Sequence, residues 1–103
     1  MEIDRSRREL LRWQVLLILN KCRQSFTKEQ QILLIIGDEI QDCSQSELRD
    51  ELSYLRSKNL LEIDIRSTAS GKVWYARIEA TGIDFVECNS DNIVGISRPG
   101  CWI

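Results

Sequence analysis

The sequence predicts an α+β winged helix: a three-helix core containing a helix-turn-helix, a β-hairpin wing, a short C-terminal helix and an irregular tail. Three observations carry the prediction. Apolar residues recur at helical spacing in three successive segments before Asn59, and only Asp42-Cys43-Ser44 separates the second from the third. Strict alternation of apolar and charged residues begins at Leu61, and a second strand-like run ending at Ile78 follows across a turn that contains Gly71. Helix, helix, short turn, helix and hairpin is the order in which a wing packs beside a helix-turn-helix pair. The alternative is a three-helix bundle carrying an unrelated hairpin.

The first helix is read over Ser6 to Arg23. Leu11, Val15, Ile18, Leu19 and Cys22 form one apolar strip, and Leu10, Trp13 and Leu17 form another about a third of a turn away. One partner surface would not bury both strips. The helix is therefore either a central core element wrapped on two sides by its own chain or one that offers Leu10, Trp13 and Leu17 as a dimer contact. Thr27 with Gln30 fits a capping box opening the second helix, whose apolar face is Ile32, Leu33, Ile35, Ile36 and Ile40. Ser44 with Glu47 fits another box. It opens a third helix that runs to about Lys58 with Leu48, Leu52 and Leu55 as its buried stripe.

Asn59 suits a left-handed residue ending that helix. Leu61, Ile63 and Ile65 then alternate with Glu62, Asp64 and Arg66, and Ser67 to Lys72 forms the turn. On the returning strand Trp74, Ala76 and Ile78 point to one side while Val73, Tyr75 and Arg77 point to the other. Glu79 to Cys88 forms a last short helix burying Ile83 and Val86, or Phe85. Residues 1–88 thus make the winged-helix domain, and 89–103 make a tail with an apolar end, Cys101-Trp102-Ile103.

Several pieces taken in order resemble a family of small, mostly uncharacterised winged-helix proteins of Mu-like bacteriophages and prophages. These are the apolar first helix, the Ser44 helix start, Leu55 followed by Lys58-Asn59-Leu60-Leu61, Trp74-Tyr75-Ala76-Arg77-Ile78, Gly82-Ile83-Asp84 and Gly95-Ile96-Ser97-Arg98-Pro99. The chain departs from the family pattern at Glu79, where a threonine usually opens the last helix. The resemblance implies a phage or prophage protein of the bacterial cytoplasm, of a kind sometimes labelled a transcription regulator on grounds of fold.

Composition narrows the function classes. The 103 residues are 43% hydrophobic with one proline and five glycines, the balance of an ordered globular chain. The net charge is −2 and the pI about 5.2, so no global positive field draws the protein to phosphate polymers or anionic lipid. Residues 1–30 hold seven Lys/Arg against four Asp/Glu, which places the basic excess at the start. The apolar run Val15 to Leu19 is too short to span a bilayer. Cys22, Cys43, Cys88 and Cys101 lie 21, 45 and 13 positions apart, which is no metal-ligand rhythm and agrees with four reduced thiols in a cytosol.

An enzyme is not expected. Without histidine, the commonest general base, triad member and metal ligand is missing. Asp38, Glu39 and Asp42 read as exposed acids at a helix end. Gly37, Gly71, Gly82, Gly95 and Gly100 stand alone, unlike a phosphate-binding loop. Cys43 precedes a helix N-terminus but has no partner base and reads as structural. No cofactor, metal or small-molecule substrate is expected.

Double-stranded DNA is the leading candidate partner. In a docked helix-turn-helix the N-terminal half of the second helix enters the major groove. There Gln45 and Arg49 could read adenine and guanine edges, with Ser46, Ser53 and Arg56 beside them. Asp50, on the same outward face, works against phosphate attraction. Arg66, Lys72 and Arg77 lie on the wing, where Gly71-Lys72 would reach a minor groove or phosphate, and Arg5, Arg7, Arg8 and Arg12 form a second basic cluster. The other reading is a protein-interaction module without DNA binding. In it Leu10, Trp13 and Leu17 meet a second copy, and Trp102 and Ile103 dock on the same or the neighbouring subunit.

Overall fold

The computed structural model describes residues 2–37, 40, 42–88, 93 and 95–96. The elements are α1 (Glu2–Lys21), β1 (Thr27–Lys28), α2 (Glu29–Ile36), α3 (Gln45–Ser57), β2 (Leu61–Thr68), β3 (Gly71–Ile78) and α4 (Ala80–Val86). The order is that of a winged helix. The sheet is antiparallel and three-stranded, with strand order β1-β3-β2.

α1 is the central helix and packs against α2, α3, α4 and β3. Leu11, Val15, Leu16 and Leu19 are buried, and so is Trp13, at 6% exposure. The Trp13 ring meets Phe85 of α4 edge-to-face at 6.1 Å, a favoured aromatic geometry. Both strips of α1 are thus largely covered by the chain itself: Leu17 packs on the core and Leu10 is 40% exposed. Trp13 is accordingly a core residue and not part of a free dimer face. Cys22, expected at the end of the buried strip, is exposed because the helix stops at Lys21.

The start of α2 differs from the expected capping box. Thr27 is extended, buried and paired with Ala76, and Lys28 pairs with Tyr75, so the chain makes a short strand before it turns helical. The cap position falls on Lys28, which makes no side-chain cap, and α2 ends at Ile36 with Gly37 behind it. α3 begins as predicted: the Ser44 hydroxyl accepts from the Glu47 N–H at 3.0 Å. The Glu47 carboxylate accepts in return from the Ser44 backbone N–H, as the box requires, and it also accepts from Arg7. Leu48, Leu52 and Leu55 are fully buried as the stripe requires.

α3 ends in a Schellman motif. Asn59 has φ 63°, its N–H donates to the Arg56 carbonyl, and the Leu60 N–H reaches back to that of Leu55, with both leucines buried together. The hairpin register runs from Leu61↔Ile78 to Thr68↔Gly71. Its base is in the core, through Leu61, Ala76 and Ile78, and the strand emerges until Ile65 is 44% exposed. At the tip the Thr68 hydroxyl donates to the Gly71 carbonyl at 2.7 Å, and Gly71 takes φ 120°, open to glycine at no steric cost.

α4 lies on the base of the wing, with Phe85 fully buried and Ile83 and Val86 half-buried. Beyond it, Ile93 and Ile96 pack on the core, and the Gly95 carbonyl accepts from Arg12 Nη1 at 2.7 Å. Trp102 and Ile103, the other proposed contact residues, lie outside the described residues. Cys22 and Cys43 are free, whereas Cys88 is disulfide-bonded, which corrects the expectation of four reduced thiols. Separation along the chain says nothing about which sulfurs the fold brings together.

Gly82 lies against the backbone of another segment. A Cβ there would meet the Leu60 carbonyl oxygen and lie 2.7 Å from Ile78 Cγ1, and the backbone atom cannot move without disturbing the helix-to-wing junction. Gly82→Ala is expected to lower unfolding free energy by about 1–3 kcal/mol. Gly37→Ala, where φ is −54° and a Cβ would find ordinary 3.5 Å contacts, is expected to raise it by up to about 1 kcal/mol. Urea titration of the two variants measures both.

Candidate nucleic-acid interface

The first turn of α2, the N-terminal half of α3 and the returning strand of the wing converge on the Glu29 carboxylate. β1 pairs with β3 only through Thr27 and Lys28. At the next position the backbone has turned into α2, and the Trp74 N–H is met by Glu29 Oε2 at 2.7 Å. A side chain thus continues the ladder one step beyond the strand. Arg49 of α3 donates to the same carboxylate with two nitrogens, each at 2.8 Å, in the fork geometry that suits guanidinium and carboxylate. It also donates to the Lys72 carbonyl at 2.9 Å and lies 5.2 Å above the Trp74 ring.

Glu29 is fully buried. Burial by itself pushes its carboxyl pKa up, but the hydrogen bonds from Arg49, the Trp74 N–H and Gln45, with the charge of Arg49, outweigh that and hold it below the ordinary value. Arg49 is therefore withdrawn into the fold. It does not stand free to read a guanine, as the sequence suggested, because a buried carboxylate needs it.

Most of the other predicted cations are also paired. Arg66 binds Asp64 at 2.8 Å and lies over the Tyr75 ring, and Arg77 binds Glu62, its cross-strand partner, and covers Phe26. In the N-terminal cluster Arg5 meets Glu9 at 3.8 Å, Arg7 meets Glu47 at 2.9 Å and Arg12 meets Glu51 at 2.5 Å. Arg12 also stacks on Tyr54 at 3.6 Å. The expectation of freely exposed arginines is thus corrected for Arg66 and Arg77 as it is for Arg49.

What remains open lies around α3. Lys28 and Lys72, both exposed and in no ion pair with any described residue, share a hollow with Gln30, Gln45, Arg49 and Thr68. A second hollow runs along α3 between Gln45, Ser46, Asp50 and Ser53, with Trp74 as its wall. On the opposite flank Arg7 and Arg8 border Ser44, Ser46, Glu47 and Asp50. The wing and the first-helix arginines therefore flank the same helix from its two sides. Arg56 is exposed near the far end of α3.

Sequence reasoning missed Glu29, Lys28 and Trp74. Glu29 and Lys28 resemble the solvated charges of a helix start, and only the pairing of Thr27 with Ala76 reveals that Glu29 faces the wing. Cys43 is not activated: burial and the charge of Glu47 push its thiol pKa up despite its place before a helix. Among the described residues no group of three His, Cys, Asp or Glu side chains is placed to hold a metal ion. No described helix is long and apolar enough to cross a membrane.

No family model and no curated protein matches the sequence. Among solved structures, the chain is similar to a PadR family transcription regulator from hypervirulent Clostridium difficile R20291. The TM-score is 0.60 and the identity 17%, over 77% of this chain and 81% of that one. The likeness shows the fold, a winged helix.

The pairing predicts a defined acid response. Because the Glu29 pKa is lowered on folding, its contribution is full above the ordinary value of 4.5 and is lost as pH falls towards the depressed value in the folded protein. Glu29→Gln is expected to flatten the decline of stability below about pH 4.5. At neutral pH, Glu29→Ala leaves Arg49 and the Trp74 N–H without an acceptor and is expected to cost about 3 kcal/mol. Urea midpoints of the wild type and both variants across pH 3 to 7 measure this.

Proposed function

We propose that this chain is a DNA-binding protein of the transcription-regulator kind, docking α3 in the major groove and the wing against the adjacent backbone. The observation that carries the reading is the hollow between α3 and the wing, where Lys28 and Lys72, in no ion pair with any described residue, stand beside exposed Gln45, with exposed Ser46 in the adjoining hollow. Phosphate contacts position such a protein, and the polar side chains between them meet base edges. Lys28 and Lys72 are the phosphate ligands in this reading, Arg8 and Arg56 add positive charge along α3, and Gln45, Ser46 and Ser53 face the bases. The winged-helix fold shared with a PadR family transcription regulator supports it.

The protein works without cofactor or catalysis, in the cytoplasm of a bacterial host. A phage or prophage origin belongs to the proposal on the strength of the sequence resemblance alone. Operator recognition by helix-turn-helix proteins is commonly dimeric, with two half-sites a helical turn apart, and a homodimer is part of the same reading. A second reading, a protein-contact module without DNA binding, draws on the number of arginines already paired and on the exposed Leu34 and Ile35 of α2, at 77% and 50%.

Fluorescence anisotropy with a random duplex at low salt tests the choice. Salt-sensitive binding at micromolar concentration or tighter is expected. Replacing Lys28 and Lys72 together by Ala should lower the slope of log K against log salt by about 0.9 for each lost phosphate contact. Absence of binding at high protein concentration would leave the contact-module reading. Sedimentation at tens of micromolar is expected to show a dimer, and a monomer there would remove that part of the proposal.

A further inference from the structure

We infer that Asp50 is the specificity-determining residue of the α3 face, selecting the cytosine amino group of a C·G pair. This rests on the DNA-binding reading above and deepens it. The outward row of α3 is Ser46, Asp50, Ser53 and Ser57, and Asp50 is its one charged member. Asp50 sits on the ridge between two hollows, bordering the one that holds Arg7 and Arg8 and the one walled by Trp74. Its side chain is exposed and stands in no ion pair with any described residue. Every other acid on α3 is committed: Glu47 to Arg7 and Glu51 to Arg12.

The guanine reader of this helix has been removed. Arg49, which could donate to guanine O6 and N7, is bound to Glu29 and to the Lys72 carbonyl. Gln45 is partly drawn the same way, since its side chain also hydrogen-bonds to Glu29. A C·G pair must then be read from its other side. An ionised carboxylate only accepts hydrogen bonds. In the major groove guanine N7 and O6 and thymine O4 are acceptors and repel it. Adenine presents an amino donor beside the acceptor N7, whereas cytosine presents its N4 amino group with no acceptor next to it on that edge. Cytosine is the base a free Asp50 tolerates best. The same charge lowers attraction to phosphate, so Asp50 costs general affinity where it confers choice.

The experiment selects bound duplexes from a randomised pool at low salt with the full chain. It then compares wild type, Asp50→Ala and Asp50→Asn on duplexes that differ at single pairs. The wild type is expected to enrich cytosine at one fixed position and to lose about tenfold in affinity when that C·G is changed to T·A. Asp50→Ala should bind the two alike and hold random duplex more tightly than wild type. Asp50→Asn should move the preference towards adenine, the base whose edge matches an amide. Cytosine preference retained in both variants, or no cytosine position in the wild-type pool, overturns the inference while leaving DNA binding standing. No duplex retained by any of the three proteins overturns the DNA-binding reading, and this inference with it. Asp50 is exposed and paired with no described residue, so both variants should fold, and equal thermal midpoints verify that.

Discussion

The fold turns on one carboxylate. Glu29 is fully buried, yet it is charged, and a charge in that position persists only where donors surround it. They come from Arg49 of α3, the Trp74 N–H of β3 and Gln45 at the start of α3. The three elements that a winged helix must hold in register are thus joined through a single side chain. Such a pair adds little net stability compared with an apolar filling of the same volume, because desolvation offsets attraction. What it supplies is geometry, since an Arg fork and a strand N–H accept few other arrangements.

The same requirement decides which charges are left for a partner. A count of arginines along the chain suggests a basic wing and a basic first helix. In space Arg66, Arg77, Arg5, Arg7 and Arg12 each stand against an acid, and three of them also lie over an aromatic ring. The exposed pairs among them contribute little to stability, whereas Arg12–Glu51 is largely buried, and all of them cancel the field that a nucleic acid would meet. The surface that remains is modest: Lys28 and Lys72 on one flank of α3, Arg8 on the other, Arg56 near its far end and Asp50 between them. A protein with that surface binds DNA weakly unless base contacts or a second copy add to the phosphate term.

α1 explains how a chain of this size covers so much of its apolar surface. It carries apolar residues around most of its circumference, and the chain wraps it with α2, α3, α4 and β3. Trp13 closes one side against Phe85, and Ile93 and Ile96 return to the core after the last helix. Gly82 is where α4 meets the Leu60 carbonyl, and the Glu79 N–H donates to the same oxygen at 2.9 Å. The helix and the wing base are thereby locked together at one peptide.

Local signals determined a large part of this protein. The Leu48, Leu52 and Leu55 stripe, the Ser44 cap, the left-handed Asn59, the facing of Trp74, Ala76 and Ile78 and the order of elements all follow from residues within a turn or two of each other. Physical chemistry at that range is written directly in the chain. Tertiary structure alone decided that Thr27 is a strand residue and not a cap, that Trp13 faces inward, that Cys88 is in a disulfide, and that Arg49 serves Glu29 twenty positions earlier. Each of these depends on two segments meeting from far apart. Whether a charge is free or spent is a property of its neighbours in space, and periodicity carries no record of them.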